Sequence, residues 1–456
     1  MEESSCTTNK GSPLFYLAPD QLFSILLRLP VDSILSFATT CKRFRSLTNS
    51  DFLWESLCKR NWGESYVNAV KASSPCQNIP WMRFFKRVYQ LECVSCHKLS
   101  DADVDLAIPN PRASHSLNFV SNCLVLFGGG CEGGRHLDDT WVAYIGNDFR
   151  KMLNWQKVNS GIPSGRFGHS CVVSGDYLVL FGGINDRGYR HNDTWVGQVA
   201  YHENHGITMS WSLLDVGSIA PPPRGAHAAC CIDNRKMVVH GGIGFNGLRL
   251  GDMWVLELSE NYLVGSWQEV MTLPSPPARS GHTLTYTGRN QIVLFGGRGV
   301  GYEVLSDLWF LDVSEGSFKW VRIPYELQNV PDGITLPRVG HSATLVLGGW
   351  VLIHGGEDSS RHRKNDFWAL NTKAMPSTSL EQALLNFPGL FLNVWKRVDT
   401  VDYQPNSRSF HRVCADYSGG YLYVFGGMVD GLLESAESAG LRFNGELLLV
   451  ELLPSL

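Results

Sequence analysis

The sequence predicts a largely β protein built from six repeated units, with a small helical module in front of them. Glycine contributes 46 of the 456 residues and charged residues only 18%, and glycine above its usual share of about 7% favours turn-rich β structure. Four short motifs recur in the same order after residue 111. Between residues 14 and 62 the apolar residues instead follow a helical spacing.

The charge balance gives no reason to expect binding to nucleic acid or to an anionic membrane. The chain has 39 basic and 43 acidic residues, for a formal net charge of −4, so it carries no basic surplus. Its first residues, Met1 to Cys6, are acidic and polar, and no later run reaches about 18 apolar residues. We therefore expect a protein of the cytoplasm or nucleus, with reduced cysteines and no membrane partner.

Each repeat begins with Arg-x-x-His, followed by an apolar run that ends in Gly-Gly. The arginines are Arg112, Arg166, Arg224, Arg279, Arg338 and Arg408, and the first glycines are Gly128, Gly182, Gly241, Gly296, Gly355 and Gly426. After a variable loop, five copies carry Asp-x-Trp, which begins at Asp139, Asp193, Asp252, Asp307 and Asp366. The sixth copy reads Glu446-Leu447-Leu448 instead. A second tryptophan follows in five copies, at Trp155, Trp211, Trp267, Trp320 and Trp395.

Each unit also holds four short runs of strand-forming residues separated by turn residues, which predicts a four-stranded antiparallel meander. A period of about 50 with Gly-Gly and paired tryptophans resembles the kelch repeat, whose units form the blades of a β-propeller. The resemblance implies an all-β, six-bladed kelch β-propeller over residues 91–456. In such a unit Gly-Gly supplies positive φ and both tryptophans bury their rings between neighbouring blades. We interpret the repeated Arg and His as scaffold, because they recur in every unit.

The sixth unit has no fourth strand of its own, since only six residues follow Val450. The run from Leu91 to Leu99 matches the register of the second-tryptophan strand, with Cys96 in the tryptophan position, and we expect it to close the propeller. The same run reads Cys-x-x-Cys-His, a pattern of haem attachment or of half a zinc site. No second Cys or His pair follows at metal spacing, so we expect neither a metal nor a cofactor.

Residues 14–62 predict a small helical bundle that follows a disordered start at 1–13. Pro19-Asp20 opens its first helix and Pro30 ends it. The matching strings Leu17–Leu22, Ile25–Leu35, Cys41–Arg45 and Phe52–Trp54 resemble an F-box. The resemblance implies docking on the Skp-type adaptor of a cullin-RING ubiquitin ligase through Pro19, Leu22, Ile25, Leu29, Pro30, Ile34 and Leu35. The alternative is a helical cap whose leucines fill only its own core.

Residues 63–90 predict a linker, with a loop to residue 79 and a helix from Pro80. Trp81, Phe84, Phe85 and Val88 share one face of that helix. We expect this apolar stripe to pack the helical module against the propeller.

Together the two modules resemble the F-box/kelch family of plant type. The resemblance implies a non-catalytic substrate-recognition subunit, whose F-box binds the adaptor and through it cullin, and whose propeller binds the protein to be ubiquitylated. The alternative is a kelch scaffold or cytoskeletal interaction protein. A kelch iron site would need Glu-x-x-x-Asp-x-x-x-His, but Leu311 stands where the histidine should follow Glu303 and Asp307. A copper site of Tyr and His stays open on spacing alone.

The loops after Gly-Gly vary from unit to unit and supply the candidate substrate-binding residues, which are Arg135, Arg187, Arg190, Arg249, Arg298, Arg361, Arg363 and Arg442. Such arginines would suit an acidic or phosphorylated segment. The same loops hold as many acidic residues, so a solvated surface of mixed charge is the alternative. An insertion at 374–393 contains the apolar run Leu390-Phe391-Leu392, which we expect to cover another surface.

Overall fold

The computed structural model divides the chain into two compact units, one ending at Gln90 and one running from Leu91 to Pro454. It describes residues 13–64, 67–68, 71, 79–99, 107–146, 153–202, 206–288, 290–314, 317–327, 336–372, 392–430 and 441–452. Residues 1–12 of the expected disordered start lie outside the described residues, as does the 374–393 insertion up to residue 391.

The first unit is helical. A 3-10 turn at Pro13–Tyr16 precedes α1 (Pro19–Leu26), α2 (Val31–Thr40), α3 (Lys42–Thr48), α4 (Asp51–Trp62) and α5 (Trp81–Gln90). Pro19 takes the first position of α1, where its missing N–H costs nothing. The Gln21 side chain accepts a hydrogen bond from the Ala18 N–H at 3.0 Å, which satisfies a donor just before the helix. Leu22, Leu26 and Ile34 form part of the buried core.

The apolar stripe of α5 packs within this helical unit. Phe85 lies 5.2 Å from Trp54 and 5.0 Å from Trp62 between ring centroids. Phe84 lies 5.9 Å from Trp62. Aromatic residues spaced along α4 offer a large apolar face next to α5, so α5 extends the bundle. That the stripe also packs the helical module against the propeller stays a prediction.

The second unit contains six four-stranded antiparallel blades, of which blades five and six join into one eight-stranded sheet. Blades one to three are formed by β2 (Ser116–Val120), β3 (Cys123–Phe127), β4 (Thr140–Tyr144), β5 (Trp155–Asn159); β6 (Ser170–Ser174), β7 (Tyr177–Phe181), β8 (Thr194–His202), β9 (Gly206–Leu213); and β10 (Ala228–Ile232), β11 (Lys236–Ile243), β12 (Arg249–Leu258), β13 (Gly265–Glu269). Blades four and five are formed by β15 (Thr283–Tyr286), β16 (Gln291–Phe295), β18 (Leu308–Asp312), β19 (Lys319–Ile323); and β20 (Ser342–Val346), β21 (Trp350–His354), β22 (Phe367–Asn371), β23 (Trp395–Asp402).

Blade six takes its outer strand from the start of this unit. β24 (Arg412–Ala415), β25 (Tyr421–Phe425) and β28 (Leu447–Glu451) are followed by β1 (Cys93–Lys98), which pairs antiparallel with β28. β1 also pairs in parallel with the end of β23 of blade five. Two short ribbons, β14 (Arg279–Ser280) with β17 (Arg298–Gly299) and β26 (Met428–Asp430) with β27 (Leu441–Phe443), extend from the loops.

The innermost strands contact one another in a closed cycle, β2, β6, β10, β15, β20 and β24, which makes the unit a six-bladed β-propeller. The apolar core lies between the blades. Trp211 of blade two joins the cluster of blade one, and Trp267 of blade three joins that of blade two. Their indole N–H groups donate across the interface to Thr140 Oγ1 at 3.0 Å and Thr194 Oγ1 at 3.3 Å. The first tryptophans Trp254 and Trp309 belong to such shared clusters as well, so the prediction that the tryptophans lie between blades is confirmed.

Candidate functional site

The repeated motif forms a buried polar network rather than a reactive site. In blade two, Arg166 Nη1 donates to the Gly182 carbonyl at 3.0 Å and to Asp193 Oδ1 at 2.6 Å, and the Trp195 indole N–H donates to Asp193 Oδ2 at 2.7 Å. The other four Asp-x-Trp blades repeat this arrangement. All six motif arginines are fully buried. The scaffold interpretation of the motif is confirmed.

Blade six reproduces the network with different residues. Arg408 Nη2 pairs with Glu446 Oε2 at 2.5 Å, and the Tyr403 hydroxyl donates to Glu446 Oε1 at 2.6 Å. The tyrosine hydroxyl thus replaces the indole N–H, which explains how the degenerate sixth copy still closes its network. Burial, together with Glu446, raises the pKa of Tyr403 to about 12.

The environment keeps the motif carboxyls ionised and the motif histidines neutral. Burial opposes ionisation of the five motif aspartates, but the paired guanidinium and the indole N–H outweigh it, so the pKa of each lies below its ordinary value. Burial is also the main cause that lowers the pKa of the six motif histidines, to about 3 for His227 and His341. Neutral, enclosed imidazoles of this kind support structure.

A ring of backbone hydrogen bonds surrounds the propeller axis. The third residue of each motif has positive φ and donates its N–H to the carbonyl of its counterpart in the preceding blade, at 2.6–2.9 Å; these residues are Ser114, Gly168, Ala226, Gly281, Gly340 and Phe410. Ser114 bonds to Phe410, so the ring passes from blade six back to blade one. Gly427 also donates to the Arg112 carbonyl at 2.8 Å across the same boundary.

On the helical unit, the predicted adaptor-binding residues divide into two groups. Pro19, Pro30, Ile25 and Leu35 are exposed, the last two by 41% each, and Leu29 is half-buried. Arg60 Nη1 donates to the Leu29 carbonyl at 3.1 Å, which holds the turn between α1 and α2 in place. The structure therefore brings five of the seven predicted residues to the surface, and their role in docking stays a prediction.

The structure corrects the prediction that Leu22 and Ile34 contact the adaptor, because their side chains are only 1% and 0% exposed. Their side chains fill the core between the helices and offer no surface to a partner. Sequence reasoning also missed Phe52 at the start of α4, which is 64% exposed and lies 6.0 Å from Phe23 between ring centroids. An aromatic residue directly before the buried pair Leu53-Trp54 is the signal that could have found it.

The loops between the second and third strands of all blades lie on one face of the propeller, together with the loops between blades, because strand direction alternates. We call this the loop face. Four of its predicted arginines are exposed, namely Arg135, Arg187, Arg361 and Arg442, and four are half-buried, namely Arg190, Arg249, Arg298 and Arg363. The eight therefore do not form one uniform basic ring.

The half-buried arginines already have partners inside the propeller. Arg298 Nη2 lies 3.0 Å from Glu357 Oε1, and Arg363 pairs with both Glu357 and Asp430. Arg249 lies over the ring of Tyr302, 4.3 Å from its centre. Acidic residues of the same face neutralise Arg298 and Arg363 and link blades four, five and six. This favours the alternative of mixed charge at these two positions, and their role in substrate binding stays a prediction.

The loop face instead presents apolar side chains on three consecutive blades. Tyr189, Phe245, Leu248, Val300 and Tyr302 are each at least 64% exposed, and we call them the apolar loop surface. Sequence reasoning missed them, although an aromatic residue follows a glycine in each of these loops, at Gly188-Tyr189, Gly244-Phe245 and Gly301-Tyr302. Exposed aromatic residues beside arginines are the composition found at centres of protein interfaces.

Comparison with known proteins decides the family. The F-box-like family model matches residues 19–60, and the KLHDC2/KLHL20/DRC7 Kelch-repeats domain model matches 82–272 and 201–392. The F-box/kelch-repeat protein At1g51550 of Arabidopsis thaliana is 60% identical over 454 residues, which cover 98% of this chain and 94% of that protein. This chain belongs to the F-box/kelch-repeat family.

More distant relatives of this F-box/kelch-repeat chain are longer proteins. Adagio-like protein 1 of Oryza sativa subsp. japonica is 31% identical over 83% of the chain, and the match covers 59% of that relative. Adagio protein 3 of Arabidopsis thaliana is 29% identical over 85% of the chain, with 62% of that relative covered. The chain therefore corresponds to about three-fifths of the length of these relatives.

For an F-box/kelch-repeat protein, the F-box implies a Skp1-type adaptor as partner and the kelch domain implies protein–protein interaction. Within the described part of the chain, no group of three or more His, Cys, Asp or Glu side chains is placed to hold a metal ion. No helix among the same residues is long and apolar enough to cross a membrane.

Proposed function

We propose that this chain is a substrate-recognition subunit of a Skp-cullin-F-box ubiquitin ligase, itself non-catalytic. The observation that carries the proposal is the pairing, on one chain, of an F-box with an exposed apolar edge and a propeller with an exposed apolar loop surface. Neither surface is needed by the core of its own unit. We further propose that the protein acts in the cytoplasm or nucleus, which imaging of a tagged full-length chain would test.

The adaptor side rests on the residues that the structure leaves exposed. Ile25 and Leu35 carry apolar side chains at the surface of α1 and α2, and the Leu29-Pro30 turn lies between these helices. Interface anchors of this kind each contribute about 2 kcal/mol when fully covered. Replacement of exposed residues also leaves the helical core in place, which makes a binding defect interpretable.

We predict that Ile25→Ala combined with Leu35→Ala lowers affinity for the purified Skp-type adaptor at least 30-fold, by about 2 kcal/mol or more. The measurement is isothermal titration with the full chain. The matched control is Leu263→Ala with Val264→Ala, which removes exposed apolar side chains from the propeller instead. Undiminished adaptor binding by the helical variant would contradict the assignment and favour a kelch scaffold without a ligase role.

The substrate side rests on the apolar loop surface. Phe245 and Leu248 stand in the second loop of blade three and are 80% and 68% exposed. In the same blade, Leu263 and Val264 are exposed in the third loop, which lies on the opposite face. One blade therefore offers a test pair and a control pair of similar chemistry.

We predict that Phe245→Ala with Leu248→Ala reduces substrate capture while adaptor affinity stays unchanged. Candidate substrates are the proteins that accumulate on the full chain carrying Ile25→Ala and Leu35→Ala under proteasome inhibition, and whose ubiquitylation by the reconstituted ligase requires this subunit. The Leu263→Ala, Val264→Ala control should capture them normally. If the control pair abolishes capture and the test pair does not, the substrate binds the opposite face.

A further inference from the structure

The propeller axis contains a cavity of about 380 Å³ that the proposed function does not use. Its wall is formed by the innermost strands and by the first residue of each, which directly follows the motif histidine. Those positions are Ser116, Ser170, Ala228, Thr283, Ser342 and Arg412. Five blades supply a small side chain there, and blade six supplies an arginine.

The hydroxyl groups at these positions have a structural partner. Ser116, Ser170, Thr283 and Ser342 each contact the Nε2 atom of the next blade's motif histidine at 2.8–3.1 Å. In blade three, where Ala228 has no hydroxyl, His240 takes this place and contacts His282 Nε2 at 3.0 Å. Arg412 therefore departs from the pattern in which a hydroxyl contacts the histidine of the next blade. A serine at this position could make that contact, so the scaffold does not require an arginine.

The guanidinium of Arg412 has little to neutralise it. Its Nε donates to the His115 carbonyl at 2.8 Å. Among the described residues that line the cavity there is no aspartate, glutamate or lysine, and Arg412 is the one arginine. Burial lowers the pKa of Arg412, whereas the six motif arginines each face a carboxylate.

A second departure lies two residues away. Phe410 has φ of +57°, in the left-handed region, where four counterparts in other blades are Gly or Ala. A bulky residue is strained in that region, and such strain persists where the surrounding structure enforces it and clusters at functional sites. The Phe410 ring lies over Gly340 and lines the same cavity. Both departures of blade six thus face one space.

We propose that the axial cavity binds a small oxyanion, a phosphate or a carboxylate, through the Arg412 guanidinium. Arg412 is half-buried, and no carboxylate stands among the described residues that line the cavity. A guanidinium partly withdrawn from water without a counter-ion is costly, and an anion that enters the cavity offsets that cost. The planar guanidinium can hold two oxygens of either group at once. The cavity volume of about 380 Å³ lies in the range of small-molecule sites.

The test is titration of inorganic phosphate and of malonate into the full chain at low ionic strength, followed by calorimetry and by the melting temperature. We expect one or both anions to bind the wild type and raise its melting temperature, and Arg412→Ser to lose at least tenfold in affinity. Serine is the residue of blades one, two and five, so this variant should fold. Arg412→Gln, which keeps a hydrogen-bond donor without the charge, should lose binding equally and serves if the serine variant does not fold.

The matched control is Arg135→Ala, which removes an exposed arginine of the loop face and should bind the anions as the wild type does. Binding of phosphate alone assigns a phosphate ligand, and binding of malonate alone assigns a carboxylate. Equal affinity of wild type and Arg412→Ser, or no binding of either anion by the wild type, would overturn the proposal. The adaptor and substrate measurements above do not depend on this result.

Discussion

At the scale of single residues, the first glycine of each Gly-Gly pair lies where the next blade leaves no room for a side chain. A Cβ on Gly182, at φ +67°, would stand 2.8 Å from the Arg224 carbonyl oxygen and 3.0 Å from His227 Cε1. Gly188, in the loop of the same blade, has φ of +77° but no atom within 4 Å of that position. Both glycines have positive φ, which would strain any other residue, and they differ in the space available for a side chain.

We predict that Gly182→Ala destabilises the protein by about 3 kcal/mol or more, whereas Gly188→Ala costs about 1 kcal/mol. The strain at positive φ is common to both substitutions, and a steric clash with backbone is added only at Gly182. Urea unfolding of the two variants and the wild type measures the difference. Similar losses for both would mean that the blade boundary relaxes around an added methyl group.

At the scale of elements, β1 holds the propeller closed. Ser95 to Lys98 pair with Leu448 to Glu451 of β28, and Cys93 to Cys96 pair in parallel with Asp399 to Asp402 of β23. Val94 and Cys96 are fully buried. One strand therefore covers the edge of blade six and joins it to blade five, although it is separated from both by most of the sequence.

We predict that a chain lacking residues 1–90 remains folded and monomeric, whereas a chain lacking residues 1–99 aggregates. The second deletion removes β1 and leaves β28 with an unpaired edge, which can pair with other chains. Light scattering and thermal melting of the two truncations give the comparison. Equal behaviour of both would show that blade six closes without this strand.

At the scale of the whole molecule, buried histidines make stability depend on pH. Among the residues that the structure describes, eight imidazoles are at most 5% exposed, at His115, His169, His227, His240, His282, His341, His354 and His411. Burial is the main cause that lowers their pKa, to about 3 for His227, His240, His341 and His354. In the unfolded chain the same groups take up protons near pH 6.5. The unfolded state therefore binds more protons than the folded state below that pH.

We predict that the free energy of unfolding is steady above about pH 7 and falls as pH drops below about 6.5. Each buried histidine contributes a loss of about 1.4 kcal/mol per pH unit in that window. The motif aspartates, whose pKa is lowered in the fold, add a further loss below about pH 4. Urea unfolding between pH 8 and pH 5 measures the profile, and a free energy that stays constant down to pH 5.5 would contradict it.

Much of the architecture could be predicted because it repeats. Arg-x-x-His, Gly-Gly and the paired tryptophans occupy equivalent places in successive blades, so their structural role is visible as periodicity. Helix α1 could be predicted because its signals, Pro19 and the spacing of the leucines, are local in the sequence. The candidate site was harder to predict from the sequence, because the exposure of each loop residue depends on neighbours from other blades. The ion pair of Arg363 with Asp430 could not be predicted from the loop of Arg363, because Asp430 lies 67 residues further along the chain.

The sequence by itself determined the two modules, the number of blades and the scaffold role of the motif, because local spacing and turn chemistry carry that information. Only the tertiary structure decided which apolar residues of the F-box are exposed, since Leu22 and Ile25 differ in the side of the helix they occupy against its neighbours. It likewise decided that Arg298 is paired and that Arg412 faces a cavity. These properties arise where chain segments distant in sequence come into contact, because only that contact decides whether a side chain is buried and whether a charge has a partner.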